Sequence, residues 1–357
     1  MMQEDFGIGV SEGAWLASAN YLGYLFGALA AMKGKGTQRF AIRCGLVTIA
    51  LATLAMAAAT DLTTWIALRA LSGFASAWVL VNVSAWSLDQ LGKAGRSDLG
   101  GIVYAGVGAG IVFSGLACLG LSQAHLPSPD AWLALGATAV VATVGLWGIA
   151  GSGETRLAAT QTIQAGPSDI PEFWRIVFCA GAFGLGYIIP ATFLPVMAKR
   201  IVSDPAWFGW AWPVFGLAAV VSTLVAARLT RRLTNRGVWV LGNVVMALGV
   251  LVPLLVPGLM GIVVAALFVG GTFMVNTMAS MQEARRVAGA QAKLLMAAMT
   301  SAFAVGQILG PVLVTMFMHL EEGFAVALIA SAIPLLLAAY TLFMHRSAMM
   351  HSPGTTR

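Results

Sequence analysis

Residues 81–89, VNVSAWSLD, return 194 positions later as residues 275–283, VNTMASMQE. In that register Val81-Asn82 falls on Val275-Asn276, Ala85 on Ala279, Asp89 on Glu283 and, beyond the segment, Gly95 on Gly289. At a spacing of 196 the Ala30-Ala31 pair falls on Ala226-Ala227 and Gly110 on Gly306. Single identities between apolar segments carry little weight, but loop charges recur in the same register. An internal duplication is therefore the better reading, and it makes the chain two related sets of segments.

The segments are apolar. Of the 357 residues 59% are AVILMFWYC and 10% are charged, against roughly 45–50% and 25% in an average soluble domain. A mean hydropathy of +0.86 spread over runs of about 20 residues excludes a water-soluble enzyme and requires a polytopic membrane protein. Hydrocarbon forces each backbone to satisfy itself, and no alternating segments of barrel type occur, so the fold is all-α. Eleven spans are expected, five plus six: 13–32, 40–59, 65–87, 99–121, 131–150, 173–198, 207–227, 238–257, 259–281, 294–318 and 324–344. The longest polar gap divides an N-terminal bundle (1–150) from a C-terminal bundle (172–345) through a linker (151–171), and a tail (346–357) follows. Cys44, Cys118 and Cys179 all lie inside apolar runs, which argues for buried thiols and against a disulfide framework, a metal or another cofactor.

Positive loops stay in the cytoplasm. On this division one side holds 17 of the 20 Lys and Arg residues, while the other holds Lys199 and Arg200. The basic side is expected to be cytoplasmic in a bacterial inner membrane, with the C-terminus inside and, for an odd number of spans, the N-terminus outside. A pI near 9.5 is then a topology signal and gives no reason to invoke nucleic acid. The segment Met1 to Glu12 is acidic and lacks the basic opening of a secretory signal. The duplication register places the partner of span 173–198 ahead of the first residue, so the first set is expected to lack its opening helix.

Two related bundles, a basic loop and a cytoplasmic linker resemble the major facilitator superfamily. Its loop signature G-x-L-a-D-R-x-G-R-R is met by Gly27, Leu29, Ala30, Gly34 and Lys35, while Ala31 and Met32 stand at its Asp and Arg positions. The second set offers Ala227-Arg228-Leu229-Thr230-Arg231-Arg232, again without the Asp. The resemblance implies that Gly27, Gly34, Lys35, Arg228, Arg231 and Arg232 belong to gate loops. Arg69 and Gly73 meet the pattern R-x-x-x-G, and Gly106, Gly108, Gly110 and Gly115 form a glycine-rich helix. With Gly13 to Tyr24 these look like the YbfB-type branch, which implies a secondary permease moving a small organic solute by alternating access.

Several polar residues lie within the expected spans. Arg69 is basic and well inside one, where a charge is costly unless it faces water or protein. It is the leading substrate candidate and favours an anionic or neutral polar solute, although it can also snorkel beside Trp65. Asn82 and Asn276 are matched, and Thr272, Asn276 and Ser280 make one stripe. These, with Asn20, Tyr24, Trp78, Tyr104, Tyr187 and Gln307, are candidates for substrate binding or coupling, and equally for interhelical hydrogen bonding. Pro190, Pro195 and the Gly310-Pro311 pair are expected to break their helices. All 14 acidic residues fall in loops or at the ends of the expected spans, so no intramembrane carboxylate identifies a proton relay, and proton or ion coupling stays open. No H-E-x-x-H, G-x-S-x-G or phosphate-binding loop is present, which argues against an enzyme. A non-transporting remnant or membrane-bound regulator is the alternative to a carrier.

Overall fold

The computed structural model describes residues 2–34, 37–152, 170–201, 210–230, 232–317 and 323–350. Helices occupy each expected position. They are α1 (Val10–Lys33), α2 (Gln38–Ala58), α3 (Leu62–Lys93), α4 (Gly100–Gln123) and α5 (Ser128–Leu146), followed by α6 (Ile170–Ile201), α7 (Ala211–Leu229), α8 (Asn235–Leu255), α9 (Leu259–Ala288), α10 (Ala292–Phe317) and α11 (Gly323–Met350). Nine stretches among the described residues are long and apolar enough to cross a membrane, and one of them, Leu259–Val314, holds both α9 and α10. Helix α1 falls outside that set; Ser18, Asn20, Tyr21 and Tyr24 dilute its apolar run.

Local chemistry repeats with the duplication. Thr37 and Thr234 cap α2 and α8, their hydroxyls accepting from Phe40 N (3.2 Å) and Gly237 N (3.1 Å). Gly95 and Gly289 end α3 and α9 at φ +67° and +49°, a left-handed backbone that glycine adopts without a Cβ penalty. Each glycine leads into a short 3-10 turn before the next helix. Packing repeats as well: α1 lies on α3 as α7 lies on α9, and α2 touches α3 and α5 as α8 touches α9 and α11. Helix α6 packs on α9, α10 and α11, and no described helix stands in that relation to the first set.

One span bound shifts in a way that matters for the interior, and one expectation needs correction. Helix α9 runs seven residues past its expected end and carries Glu283 into the protein interior, with no exposed surface. As expected of an acidic residue it stays at the end of its span, and ion pairing lets it be buried there. Helix α6 also continues through Pro190 and Pro195, and α10 through Pro311. Neither breaks: each proline removes one hydrogen bond and the helix continues beyond it.

Candidate functional site

The two sets meet along two seams, α4 against α7 and α1 against α10. On α4, Gly101, Gly108 and Gly115 recur every seven residues and so share one helix face. A Cβ at these positions would lie 2.3 Å from Ala227 Cβ, 2.9 Å from Gly216 O and 2.8 Å from Pro213 Cδ, all on α7. Within the first set α1 and α3 come closer still. A Cβ on Gly23, Gly27 or Gly73 would stand 1.9 to 2.0 Å from the carbonyl oxygens of Ala70, Phe74 and Asn20. That backbone-to-backbone fit fixes the face of α1 that carries Tyr24.

Between the seams lies a cavity of about 240 Å³. The first set contributes Tyr24, Ser76, Leu80 and Val107. Helix α6 adds Ala180 and Phe183, and α10 adds Met299, Thr300 and Phe303. Helix α9 presents Phe273, Met274, Thr277, Ser280 and Met281, residues three to four apart that line one face of a helix. Behind this wall Tyr187 stacks on Phe273 at 4.3 Å between centroids, Phe183 lies 5.1 Å from Phe303, and Phe215 lies 6.1 Å from Phe273. The described lining residues include no Lys, Arg, His, Asp, Glu or Cys. Such a wall can enclose an apolar solute, and it presents no charged side chain for acid–base work.

At the basic end an ion-pair network closes the second set. Arg236 donates from Nε to Glu283 (2.8 Å) and from Nη2 to Glu172, and Arg286 donates twice to Glu283 (2.8 and 2.7 Å). Arg236 and Glu283 are buried, so their charges are matched where water cannot screen them. Two contacts cross the seam nearby. Arg285 Nη2 lies 3.7 Å from Asp89 Oδ1, and Gly92 leaves room for that guanidinium, since a Cβ there would meet Nη2 at 2.1 Å. A Cβ on Gly34 would lie 3.2 Å from Trp78 Cη2 and 3.5 Å from Lys293 Nζ.

Of the residues singled out as substrate candidates, Tyr24 is in the cavity wall, with Tyr187 in the aromatic layer behind it. Arg69 is half-buried near Tyr21, its carbonyl accepting from Asn20 Nδ2 at 3.1 Å, and it is not in the wall. Trp78 donates from Nε1 to Ala41 O at 2.9 Å and ties α3 to α2. Asn82 donates to Trp78 O at 2.8 Å. Asn276 donates to Asn243 Oδ1 at 3.3 Å, between α9 and α8, and Thr272 donates to Phe268 O at 2.6 Å. Tyr104 belongs to the core that also holds Met278 and Met281, and Gln307 is buried on α10. Among the gate-loop residues Gly27 is a helix contact, Gly34 ends α1, and Arg228 and Arg232 are exposed; Lys35 and Arg231 lie outside the described residues.

Sequence reasoning missed the wall of α6, α9 and α10. Phe183, Phe273 and Phe303 look like ordinary core residues until their helices are placed. Glu283 was visible through its match with Asp89, but its pairing with Arg236 was not.

A family model described as "Uncharacterised MFS-type transporter YbfB" matches residues 1–343. Among solved structures, the crystal structure of the human organic anion transporter MFSD10 (TETRAN) is similar, with a TM-score of 0.71 and 14% identity over 96% of this chain and 87% of that one. At that identity the likeness is one of fold. No curated protein matches.

Proposed function

The chain belongs to the YbfB-type family of the major facilitator superfamily, and from that membership we propose that it is a secondary transporter moving a small organic solute by alternating access. The observation that carries the reading is the cavity between the seams, which both helix sets line. On this reading residues 1–150 and 172–345 rock about the cavity, joined by the linker 151–171. The Asp89–Arg285 contact parts, and Lys293 moves away from the end of α1, when the basic end opens. The basic end faces the cytoplasm of an inner-membrane protein, with the C-terminus inside and the N-terminus outside. Proton or ion coupling needs another route than Glu283, whose carboxylate is engaged by two guanidiniums. MFSD10 is an organic anion transporter by its title; the wall here lacks a cation, so Arg69 is left as a residue of the path outside the cavity.

The test is labelling of Thr300→Cys by a membrane-impermeant maleimide in sealed vesicles of known orientation. Alkylation from both sides is expected, and Arg285→Ala shifts the balance toward the basic side. Labelling from one side only, under every condition and in both proteins, overturns alternating access. Reporter fusions at the two ends check the orientation. A non-transporting remnant or regulator is favoured by one observation, the open face of α4 at Gly106 and Gly110. Saturable uptake of any solute into vesicles, lost in Phe303→Ala, decides against it.

A further inference from the structure

We infer that the solute is an uncharged two-ring aromatic compound bearing an N–H or O–H donor. This deepens the transport reading and rests on the central cavity being the transport site. Volume sets the scale: an apolar cavity of about 150 Å³ is filled by benzene, and 240 Å³ has room for a fused second ring. The surface sets the kind of contact. Phe183, Phe273 and Phe303 offer ring faces and edges, and the methionines beside them are deformable and make favourable sulfur–aromatic contacts.

Charge is decided by the described lining residues, none of which is Asp, Glu, Lys, Arg or His. A carboxylate or ammonium entering it would leave its hydration shell without meeting an opposite charge, and the face of an aromatic ring does not repay an ion's desolvation. Arg69 is outside the wall and Glu283 is already paired.

On the α9 and α10 side the hydroxyls offer acceptors, while Tyr24 and Ser76 add two further hydroxyls to the wall from the first set. Thr277 donates to Phe273 O (3.0 Å), Ser280 to Thr277 O (2.9 Å) and Thr300 to Met296 O (2.8 Å), each within its own helix. Their protons are spent, so what these three present to the cavity is lone pairs, which accept from a solute N–H or O–H.

The matched probes are 5-fluoroindole, which is neutral with one N–H, its 3-acetate anion, its 3-aminoethyl cation, and 2-fluoronaphthalene, which has no donor. Binding to the full chain in nanodiscs is read by ¹⁹F NMR against empty nanodiscs. Saturable binding of 5-fluoroindole is expected, with each charged relative at least tenfold weaker. Phe303→Ala should weaken 5-fluoroindole about tenfold. Thr300→Val should narrow its advantage over 2-fluoronaphthalene while leaving the naphthalene unchanged. If either ion binds as tightly as the neutral ring, or no probe binds saturably, the inference is overturned. Two-sided alkylation of Thr300→Cys would then leave the transport reading standing, and one-sided alkylation would remove both.

Discussion

Gly110 on α4 and Gly306 on α10 occupy matched positions, yet a Cβ on the first would meet no described residue within 4 Å and the second is pressed against α6. A Cβ at Gly306 would lie 2.4 Å from Gly181 O and 2.5 Å from Leu185 N. Their neighbours differ in the same way. Gly106 faces open space, while its counterpart Ala302 touches Gly181. Only 17% of the α5 span is buried, against 44% of α11 and 61% of α6. At the basic end, counted from the capping threonines Thr37 and Thr234, the match is between Arg39 and Arg236. Arg236 sits between Glu172 of α6 and Glu283, whereas half-buried Arg39 makes no ion pair with a described residue. Among the described residues the difference between the two sets is therefore α6. A small residue matters to packing only where another helix arrives to use the space, and Arg236 is matched because α6 and α9 bring it carboxylates.

The largest effect that would sharpen this contrast is at the matched acids. Glu283→Ala leaves Arg236 buried beside one carboxylate in place of two, and a broken buried pair costs about 3–5 kcal/mol. Asp89→Ala removes a partly exposed partner of Lys93 and Arg285, worth about 0–1 kcal/mol. Thermal unfolding of the two purified variants should show a large fall for Glu283→Ala alone; equal falls would mean that the sets are held alike.

The glycines come next. Gly306→Leu forces α6 away from α10, and overpacking of this kind costs about 1–3 kcal/mol. Gly110→Leu should stay within about 0.5 kcal/mol of the parent. Comparable destabilisation by both, in the same unfolding measurement, would break the comparison by revealing a neighbour at Gly110.

The caps should not differ. Thr37→Ala and Thr234→Ala each remove one capping bond and cost about 1 kcal/mol, to be read as faster hydrogen exchange in the first turns of α2 and α8. Unequal losses would extend the asymmetry to the helix ends.

The smallest effect is one of pH. Asp61 caps α3, and hydrogen bonds from the Thr64 side chain and then its backbone N–H hold the carboxyl below its ordinary value. A lowered value in the folded state means that the cap is present above the ordinary carboxylate range and fails as the pH falls through the lowered one. Exchange of the Thr64 amide should accelerate below about pH 4, relative to the intrinsic rate, while the threonine-capped amides of Phe40 and Gly237 should not.

Much of this was decided by local chemistry. Apolar runs of spanning length become helices in hydrocarbon whatever their neighbours are, because the backbone has no other way to satisfy itself. The match of residues 81–89 with 275–283 announces two related sets for the same reason: identical patterns fold into identical local structure, down to Gly95 and Gly289. The cavity wall was not legible, since Phe273, Phe303 and Met299 differ from core residues only in what lies opposite them. Arg69, conspicuous in one dimension, turns out to stand outside that wall, and Glu283, placed past the end of its span by charge alone, is inside because Arg236 and Arg286 meet it there. Which small residue is a seam and which an open face, and which charge is matched, depends on distances between helices far apart in the chain. Only the packed structure sets those distances.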